Sequence, residues 1–225
     1  MKLDANLSLS RYQWGKSVLD EVLQAFSKAN KATYYDVGSG EISLISPEYK
    51  DVAHCRCFDL YPADEVTEQW DLEHHFPYNY PEADVVTLLD VVEHLNNPWL
   101  SIKNLAAIVK PGGRLVLTTP NPGWSTSRIN LLAKGNLTCF TPSDLTLNHH
   151  VFIAWPHILE RLLADNGFKI ERYVTLDGPT KLTDKGLRLS SFFLQFPVRL
   201  IKKSIEKADP TSIGMSYGII ARKIG

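Results

Sequence analysis

A glycine-rich turn and the acidic residues around it carry the clearest chemical signal in the sequence. The run Asp36-Val37-Gly38-Ser39-Gly40 ends a short stretch of β-forming residues, where glycines permit a tight turn and let a ligand approach the backbone closely. Asp59 ends the next such stretch, 23 residues after Asp36. A carboxylate at that position can accept hydrogen bonds from both hydroxyls of a ribose. The pattern predicts a nucleoside site.

The same turn does not fit the common nucleotide-binding patterns. A dinucleotide fingerprint, G-x-G-x-x-G, would need glycine at the position of Ser43, and no Gly-Lys-Ser/Thr sequence follows the turn. An acidic residue before the glycines opposes a phosphate group, whereas it suits a ligand that carries an ammonium group. The sequence therefore disfavours NAD and ATP as ligands.

Candidate general bases occur in the segment 121–155, which is rich in Asn, Pro, Thr and His. His149 and His150 are adjacent there, and histidine is the natural base near neutral pH. We predict that one of these two side chains is catalytic, and an exposed pair of loop histidines is the alternative. No acidic residue has a recognisable ligand spacing to the pair, so no metal site is predicted.

Composition restricts the class of protein. The chain has 225 residues, of which 44% are hydrophobic and 22% charged, which is typical of a globular domain. The formal net charge of -1 provides no basic field, so nucleic acid is disfavoured as a partner. Cys55, Cys57 and Cys139 lack a paired zinc spacing and are expected to be reduced thiols. No apolar run approaches the ~20 residues of a membrane span, and we expect a cytoplasmic protein.

Changes of hydrophobic period along the chain predict alternating helices and strands. Helices are predicted over residues 10–29, 97–109 and 156–166, and strands over 33–37, 55–60, 83–91, 114–119, 169–176 and 215–223. Strand, helix and strand in succession imply a right-handed βαβ unit and an α/β fold. We predict one domain, 1–225, in which 1–30 is an N-terminal helical cap. The long segments 121–155 and 178–213 are predicted to be substrate-recognition inserts.

Five segments resemble, in order, the motifs of class I S-adenosylmethionine-dependent methyltransferases, in particular the branch that acts on small molecules. They are residues 35–40, 58–60, 71–77, 83–95 and 105–122. The resemblance implies a Rossmann-like fold with a seven-stranded, mostly parallel sheet, helices on both faces and an antiparallel last strand. It also implies S-adenosyl-L-methionine as the cofactor.

The resemblance assigns a role to each matching position. It implies that the methionine moiety is surrounded by Asp36, Gly38, Ser39 and Gly40. It also implies that the ribose is held by Asp59, with Leu60 beside it, and that the adenine lies between Asp71 and Leu72. Leu89 and Asp90 would close the pocket behind the sulfonium. One position departs from the family pattern, because Ile42 stands where a third glycine is usual.

These features predict methyl transfer, most simply O-methylation of a small molecule, a glycan or a lipid-linked biosynthetic intermediate. N-methylation of a small amine and a non-catalytic cofactor-binding fold that acts as an interaction module are the alternatives. Methylation of nucleobases or glutamine is disfavoured, because residues 89–92 read Leu-Asp-Val-Val instead of Asn/Asp-Pro-Pro-aromatic.

The segment 188–207 is basic and amphipathic. Its apolar residues are Leu189, Phe192, Phe193, Phe196, Leu200 and Ile201, and its cations are Arg188, Arg199, Lys202, Lys203 and Lys207. This pattern arises when a helix packs on its own domain or on a second copy in a homodimer, and also when a helix lies on an anionic membrane. The sequence leaves these partners open.

Overall fold

The computed structural model describes residues 3–5, 9–41, 43–178 and 189–225, with the backbone alone for 3–5 and 189–197. Ile42 and positions 179–188, including Arg188, lie outside the described residues. The strands in this part of the chain are β1 (Leu3–Ala5), β2 (Ala32–Val37), β3 (Ala53–Asp59), β4 (Glu68–Gln69), β5 (Ala83–Leu89), β6 (Val109–Pro120), β7 (Phe168–Leu176) and β8 (Ser216–Lys223). The α-helices are α1 (Arg11–Leu23), α2 (Pro98–Ala107), α3 (Ser125–Lys134), α4 (Pro142–Asn148), α5 (Pro156–Asp165) and α6 (Leu189–Ala208).

All of these strands belong to one sheet, in the order β1-β7-β8-β6-β5-β2-β3-β4. β8 runs antiparallel to β6 and β7, and the other neighbouring pairs are parallel. The predicted Rossmann-like, mostly parallel sheet with an antiparallel last strand is therefore confirmed. The sheet has one strand beyond the seven predicted, because the short β1 pairs with β7 at the edge.

Helices cover both faces of the sheet because its central strands are apolar on both sides. Val85 of β5 packs with Leu19 and Leu23 of α1 on one face. Val86 and Leu88 point to the opposite face, where they join the core formed with α2 and α5. Burial of these side chains stabilises the scaffold that holds the strand ends in place.

The first helix is shorter than the one predicted over residues 10–29. Ser10 caps its start, since its hydroxyl accepts a hydrogen bond from the backbone N–H of Gln13 at 3.3 Å. The helix ends at Leu23, and Ser27 and Asn30 then exchange backbone hydrogen bonds in a turn. Polar residues that bond locally compete with helix formation, which explains why the predicted helix was too long. The N-terminal region thus provides an edge strand as well as the expected helix.

Both predicted inserts contain helices, and the sequence pattern indicated only the one in the second insert. The segment 121–155 carries α3 and α4, and the described part of 178–213 carries α6. Among the helices of the described residues, none combines the length and the apolar character that a bilayer crossing requires.

The parallel strands β2, β3 and β5 end at the same edge of the sheet, at Val37, Asp59 and Leu89. β2 lies between β3 and β5, so the chain order reverses at this point of the sheet. Crevices at such a reversal, beyond the carboxyl ends of the strands, are where α/β proteins bind ligands. The fold therefore predicts a ligand site at this edge of the sheet.

Candidate functional site

A cavity of about 670 Å³ opens at the carboxyl ends of β2, β3 and β5. Residues predicted from the sequence line it, namely Gly38, Asp59, Leu60, Asp71, Leu72, Asp90 and His149. Residues that sequence reasoning did not assign to a site also line it, namely Val37, Tyr61, Trp70, Glu73, Val91, His94, Leu95 and Asn96. The structure thus brings the glycine turn, the acidic residues and one of the predicted bases to a single cavity.

Backbone hydrogen bonds orient the Asp59 carboxylate. One oxygen accepts a hydrogen bond from the backbone N–H of Gly40 and the other from that of Tyr61, both at 2.9 Å. Each carboxylate oxygen can accept a second hydrogen bond. Asp59 is therefore a fixed double acceptor at the wall of the cavity, as binding of two adjacent hydroxyls requires.

Gly38 is a position where any side chain would be strained and would collide with a neighbour. Its φ of +70° lies in the left-handed region, and a Cβ built on it would lie 2.2 Å from Cγ2 of Val91. Its N–H donates to the carbonyl of Phe58 at 2.7 Å, which ties the turn to the end of β3. The turn can therefore approach a ligand only with glycine at this position.

Hydrogen bonds to the Asp36 carboxylate stabilise the segment around the glycine turn. It is 3% exposed, and its oxygens accept hydrogen bonds from the Thr87 hydroxyl at 2.6 Å, the Ser43 hydroxyl at 2.7 Å and the Leu44 N–H at 2.8 Å. Burial raises the pKa of Asp36 above its ordinary value. Four predicted cofactor residues, Asp36, Ser39, Gly40 and Leu89, are not among the residues that line the cavity. Their predicted contact with a cofactor stays a prediction.

Asp71 and Leu72 also line the cavity. One oxygen of Asp71 accepts a hydrogen bond from the Glu73 N–H, and the other contacts Nδ1 of His74, both at 2.9 Å. The carbonyl of Leu72 accepts a hydrogen bond from the Asn104 side chain of α2 at 2.9 Å. These contacts hold an apolar side chain and an acidic one at the same wall, which suits a flat base with polar edges.

Asp90 lies where β5 ends and has a positive φ of 54°. Its carboxylate accepts a hydrogen bond from the Thr118 hydroxyl at 3.0 Å and forms an ion pair with Arg11 at the start of α1. Burial raises the pKa of Asp90, and the Arg11 guanidinium partly offsets that rise. The ion pair holds the N-terminal helix against this part of the cavity.

The two predicted bases have different surroundings. His149 is exposed, follows α4 with a φ of 53° and lines the cavity. The half-buried His150 uses Nδ1 to contact the carbonyl of Cys139 at 2.5 Å, and its ring meets that of His94 edge-to-face, with 4.9 Å between centroids. Of the two, His149 is the one that faces the cavity.

A buried carboxyl, that of Glu93, lies beside these histidines. Glu93 is 1% exposed and accepts a hydrogen bond from the Thr119 hydroxyl at 2.9 Å. Burial, assisted by the nearby charge of Asp90, raises the pKa of Glu93 to about 8. Burial and His150 lower the pKa of His94. From the sequence, Glu93 and His94 look like an ordinary helix start, and only their place directly after a buried strand could have indicated the site.

A methyltransferase domain model matches residues 11–173, which is most of the chain. The chain belongs to the methyltransferase domain family. The predicted resemblance to class I S-adenosylmethionine-dependent methyltransferases is therefore confirmed, and S-adenosylmethionine is the cofactor of that family.

Solved structures with the same fold include methyltransferases. The chain resembles an S-adenosylmethionine-dependent methyltransferase from Archaeoglobus fulgidus, with a TM-score of 0.60, 19% identity and coverage of 94% of both chains. It also resembles an S-adenosylmethionine-dependent methyltransferase from Mesorhizobium loti, with a TM-score of 0.50, 14% identity and coverage of 90% of this chain and 96% of the other. At these identities the likeness shows a shared fold.

Relatives in sequence are named as O-methyltransferases, which is more specific than the family. A ubiquinone biosynthesis O-methyltransferase of Coxiella burnetii is 35% identical over 75 residues, which cover 28% of this chain and 32% of the relative. Its namesake in Vibrio vulnificus is 28% identical over 118 residues, or 51% of this chain and 50% of the relative. The chain thus spans between a third and a half of the length of these relatives.

In this methyltransferase the C-terminal half of α6 packs against α3. The Ser125 hydroxyl donates to Glu206 at 2.7 Å, Arg128 forms an ion pair with Asp209, and the Lys202 ammonium lies 5.5 Å from the centre of the Trp124 ring. On the outer side of the same helix Leu200, Ile201, Lys203 and Lys207 are exposed. One face of α6 therefore docks on its own domain, and the other presents aliphatic and basic side chains to solvent.

Proposed function

We propose that this methyltransferase transfers the methyl group of S-adenosylmethionine to a hydroxyl oxygen of a small molecule, a glycan or a lipid-linked intermediate. The observation that carries the proposal is one cavity that is lined both by a fixed double acceptor, Asp59, and by two histidines, His94 and His149. In the proposed arrangement a nucleoside bound at Asp59 directs its substituent toward the histidines. Donor and acceptor would then meet in one enclosed space.

In this proposal the nucleoside end of the cavity binds the donor. Asp59 accepts hydrogen bonds from the ribose hydroxyls, Asp71 and Leu72 flank the adenine, and Gly38 lets the methionine portion approach the backbone of the turn. Asp36 keeps the turn in shape through its bonds to Ser43 and Leu44. The charge-assisted pair of hydrogen bonds at Asp59 is expected to contribute roughly 1.5–3 kcal/mol in total.

The chemical step is an in-line displacement at the methyl carbon. The bond from sulfur to the methyl carbon breaks, with its electron pair going to sulfur, while a lone pair of the acceptor oxygen forms the new bond to carbon. The hydroxyl proton goes to the imidazole of His149, which faces the cavity as a general base. The products are S-adenosylhomocysteine, a methyl ether and a protonated histidine that returns its proton to water.

The sequence relatives support oxygen as the acceptor atom, because the matching proteins are named O-methyltransferases. The histidine supports it independently, since a hydroxyl must lose its proton during transfer and benefits from a base. Exposed aliphatic and basic residues on the outer face of α6 are compatible with an acceptor that is bound to a membrane.

A product assay tests the proposal. The protein is incubated with S-adenosylmethionine and panels of dihydroxybenzenes, sugars and primary amines, and products are identified by mass spectrometry together with S-adenosylhomocysteine release. We expect methyl ethers and a matching amount of S-adenosylhomocysteine. Methylated amines alone would overturn the O-methylation proposal, and cofactor binding without turnover on any panel would favour the interaction module.

A further inference from the structure

Glu93, His94 and His150 form a cluster beside the cavity. Each offers one ligand atom, a carboxylate oxygen or a ring nitrogen, and the three atoms lie within 4.8 Å of one another. Glu93 and His94 follow the end of β5, whereas His150 comes from the segment 121–155. His94 also lines the cavity, so the cluster borders the space in which we place the acceptor.

Neighbouring contacts orient the three side chains. Nδ1 of His150 contacts the Cys139 carbonyl at 2.5 Å, which makes Nδ1 the donor and leaves Nε2 as a free lone pair. The ring of His94 packs edge-to-face against that of His150, with 4.9 Å between the ring centroids. The Thr119 hydroxyl donates to one oxygen of Glu93 at 2.9 Å. Metal-binding histidines and carboxylates in proteins characteristically have such outer partners.

The backbone joins the two segments that supply the ligands. The carbonyl of Glu93 accepts hydrogen bonds from the N–H groups of Val151, at 2.9 Å, and Phe152, at 3.0 Å. These bonds fasten the insert beside the end of β5, directly after His150. The distance between the histidines is therefore set by the fold and not by a mobile loop.

The charge of the cluster also favours a cation. Glu93 is buried close to the carboxylate of Asp90, and Arg11, the cation of that neighbourhood, is paired with Asp90. A divalent ion would add positive charge beside these two buried carboxyl groups.

We propose that Glu93, His94 and His150 bind a divalent transition-metal ion of the Zn²⁺ or Mn²⁺ class. Two imidazole nitrogens and one carboxylate are a donor set that such ions prefer, and they leave coordination positions open. Tetrahedral ligands about 2.0–2.2 Å from an ion lie about 3.3–3.6 Å apart, so the bound ion would draw the three atoms closer together than the 4.8 Å within which they now lie. The role of the ion rests on the proposed O-methylation: an open coordination position would hold the acceptor oxygen and favour its ionised form.

Metal binding is measured directly, without reference to methyl transfer. Protein stripped with a chelator is titrated with Zn²⁺ by calorimetry and with Co²⁺ by visible absorption, which reports the ligand field. The variants are Glu93→Gln, which keeps the shape and the Thr119 hydrogen bond, and His150→Ala. The control is His75→Ala, because His75 is an exposed histidine remote from the cluster in sequence.

We expect one ion per chain, at least a hundredfold weaker binding in Glu93→Gln and His150→Ala, and unchanged binding in His75→Ala. The melting temperature of the parent should rise with the ion, and that of Glu93→Gln should not, which separates lost binding from misfolding. Absent binding in the parent, or equal binding in all variants, would overturn the site and leave the histidines as a packed aromatic pair. One bound ion without any methyl ether product would leave the site standing and refute the proposed function instead.

Discussion

The two ends of the cavity to which we assign the nucleoside and the acceptor are built in different ways. At the nucleoside end, Gly38 and Asp59 lie at strand termini, and the backbone N–H groups of Gly40 and Tyr61 hold the carboxylate in place. At the acceptor end, the segment 121–155 folds back and brings its histidines to residues that follow β5. Local sequence therefore determines the first end, whereas the second depends on contacts between distant segments.

This difference has a functional consequence. A strand-end turn with two glycines and an acidic residue can be kept while an insert changes, so one fold can combine a constant donor site with varied acceptors. We expect substitutions at the nucleoside end to reduce cofactor binding and substitutions at the acceptor end to reduce turnover. The predictions below test that division.

The largest effect is expected at Gly38. In Gly38→Ala the new Cβ meets Cγ2 of Val91 at 2.2 Å at a φ of +70°, so the wall of the cavity must move. We expect S-adenosylmethionine to bind at least about a hundredfold more weakly, since both strain and the displaced wall act against it. Gly40→Ala is the matched control, because Gly40 has a φ of +54° but no atom within 4 Å of its Cβ position. Equal losses in the two variants, measured by calorimetry, would show that backbone strain alone governs the turn.

Replacing His149 should reduce turnover and leave the binding of S-adenosylmethionine unchanged. His149→Ala removes the imidazole that faces the cavity, and we expect kcat to fall about a hundredfold while the affinity for S-adenosylmethionine stays unchanged. The control is His75→Ala, which should keep parental rates. Steady-state kinetics on the acceptor found in the product assay measures both. A parental kcat in His149→Ala would mean that another group, or none, takes the proton.

The contrast between the two ends also explains what the sequence could predict. Strands β2, β3 and β5 and the turn at Gly38 follow from short-range patterns, and Asp59 follows from its place at a strand end. The cluster of Glu93, His94 and His150 did not follow, because 56 residues separate His94 from His150. Neither periodicity nor motif spacing reports that the carbonyl of Glu93 pairs with the N–H groups after His150.

The first and last helices also show features that short-range sequence patterns could not predict. The apolar spacing in α1 continues past Leu23, but local bonds of Ser27 and Asn30 end the helix earlier than the pattern suggests. For α6, the sequence left docking on the domain and contact with a membrane open. Contacts of Lys202, Glu206 and Asp209 with α3 assign one face to the domain, and such contacts cannot be read from helical spacing.

The smallest effect concerns the outer face of α6. We propose that its exposed Leu200, Lys203 and Lys207 contact anionic membranes weakly. Lysines near such a surface contribute about 1 kcal/mol each, so Lys203→Glu/Lys207→Glu should reduce binding to anionic vesicles roughly thirtyfold or more at low salt. The control, Lys28→Glu/Lys50→Glu, reverses two charges elsewhere. Co-sedimentation at low and high salt measures the effect, and absent binding of the parent at any salt would refute the contact.

The central claim, that the cavity at the carboxyl ends of β2, β3 and β5 binds S-adenosylmethionine through Asp59, is tested most directly by calorimetry on Asp59→Ala. Asp64→Ala is the control, since Asp64 is exposed nearby and accepts hydrogen bonds from Val66 and Thr67 in its own turn. We predict one S-adenosylmethionine per chain in the parent, a loss of roughly 1.5–3 kcal/mol in Asp59→Ala and parental affinity in Asp64→Ala. A folded Asp59→Ala variant that binds S-adenosylmethionine as tightly as the parent would contradict the claim.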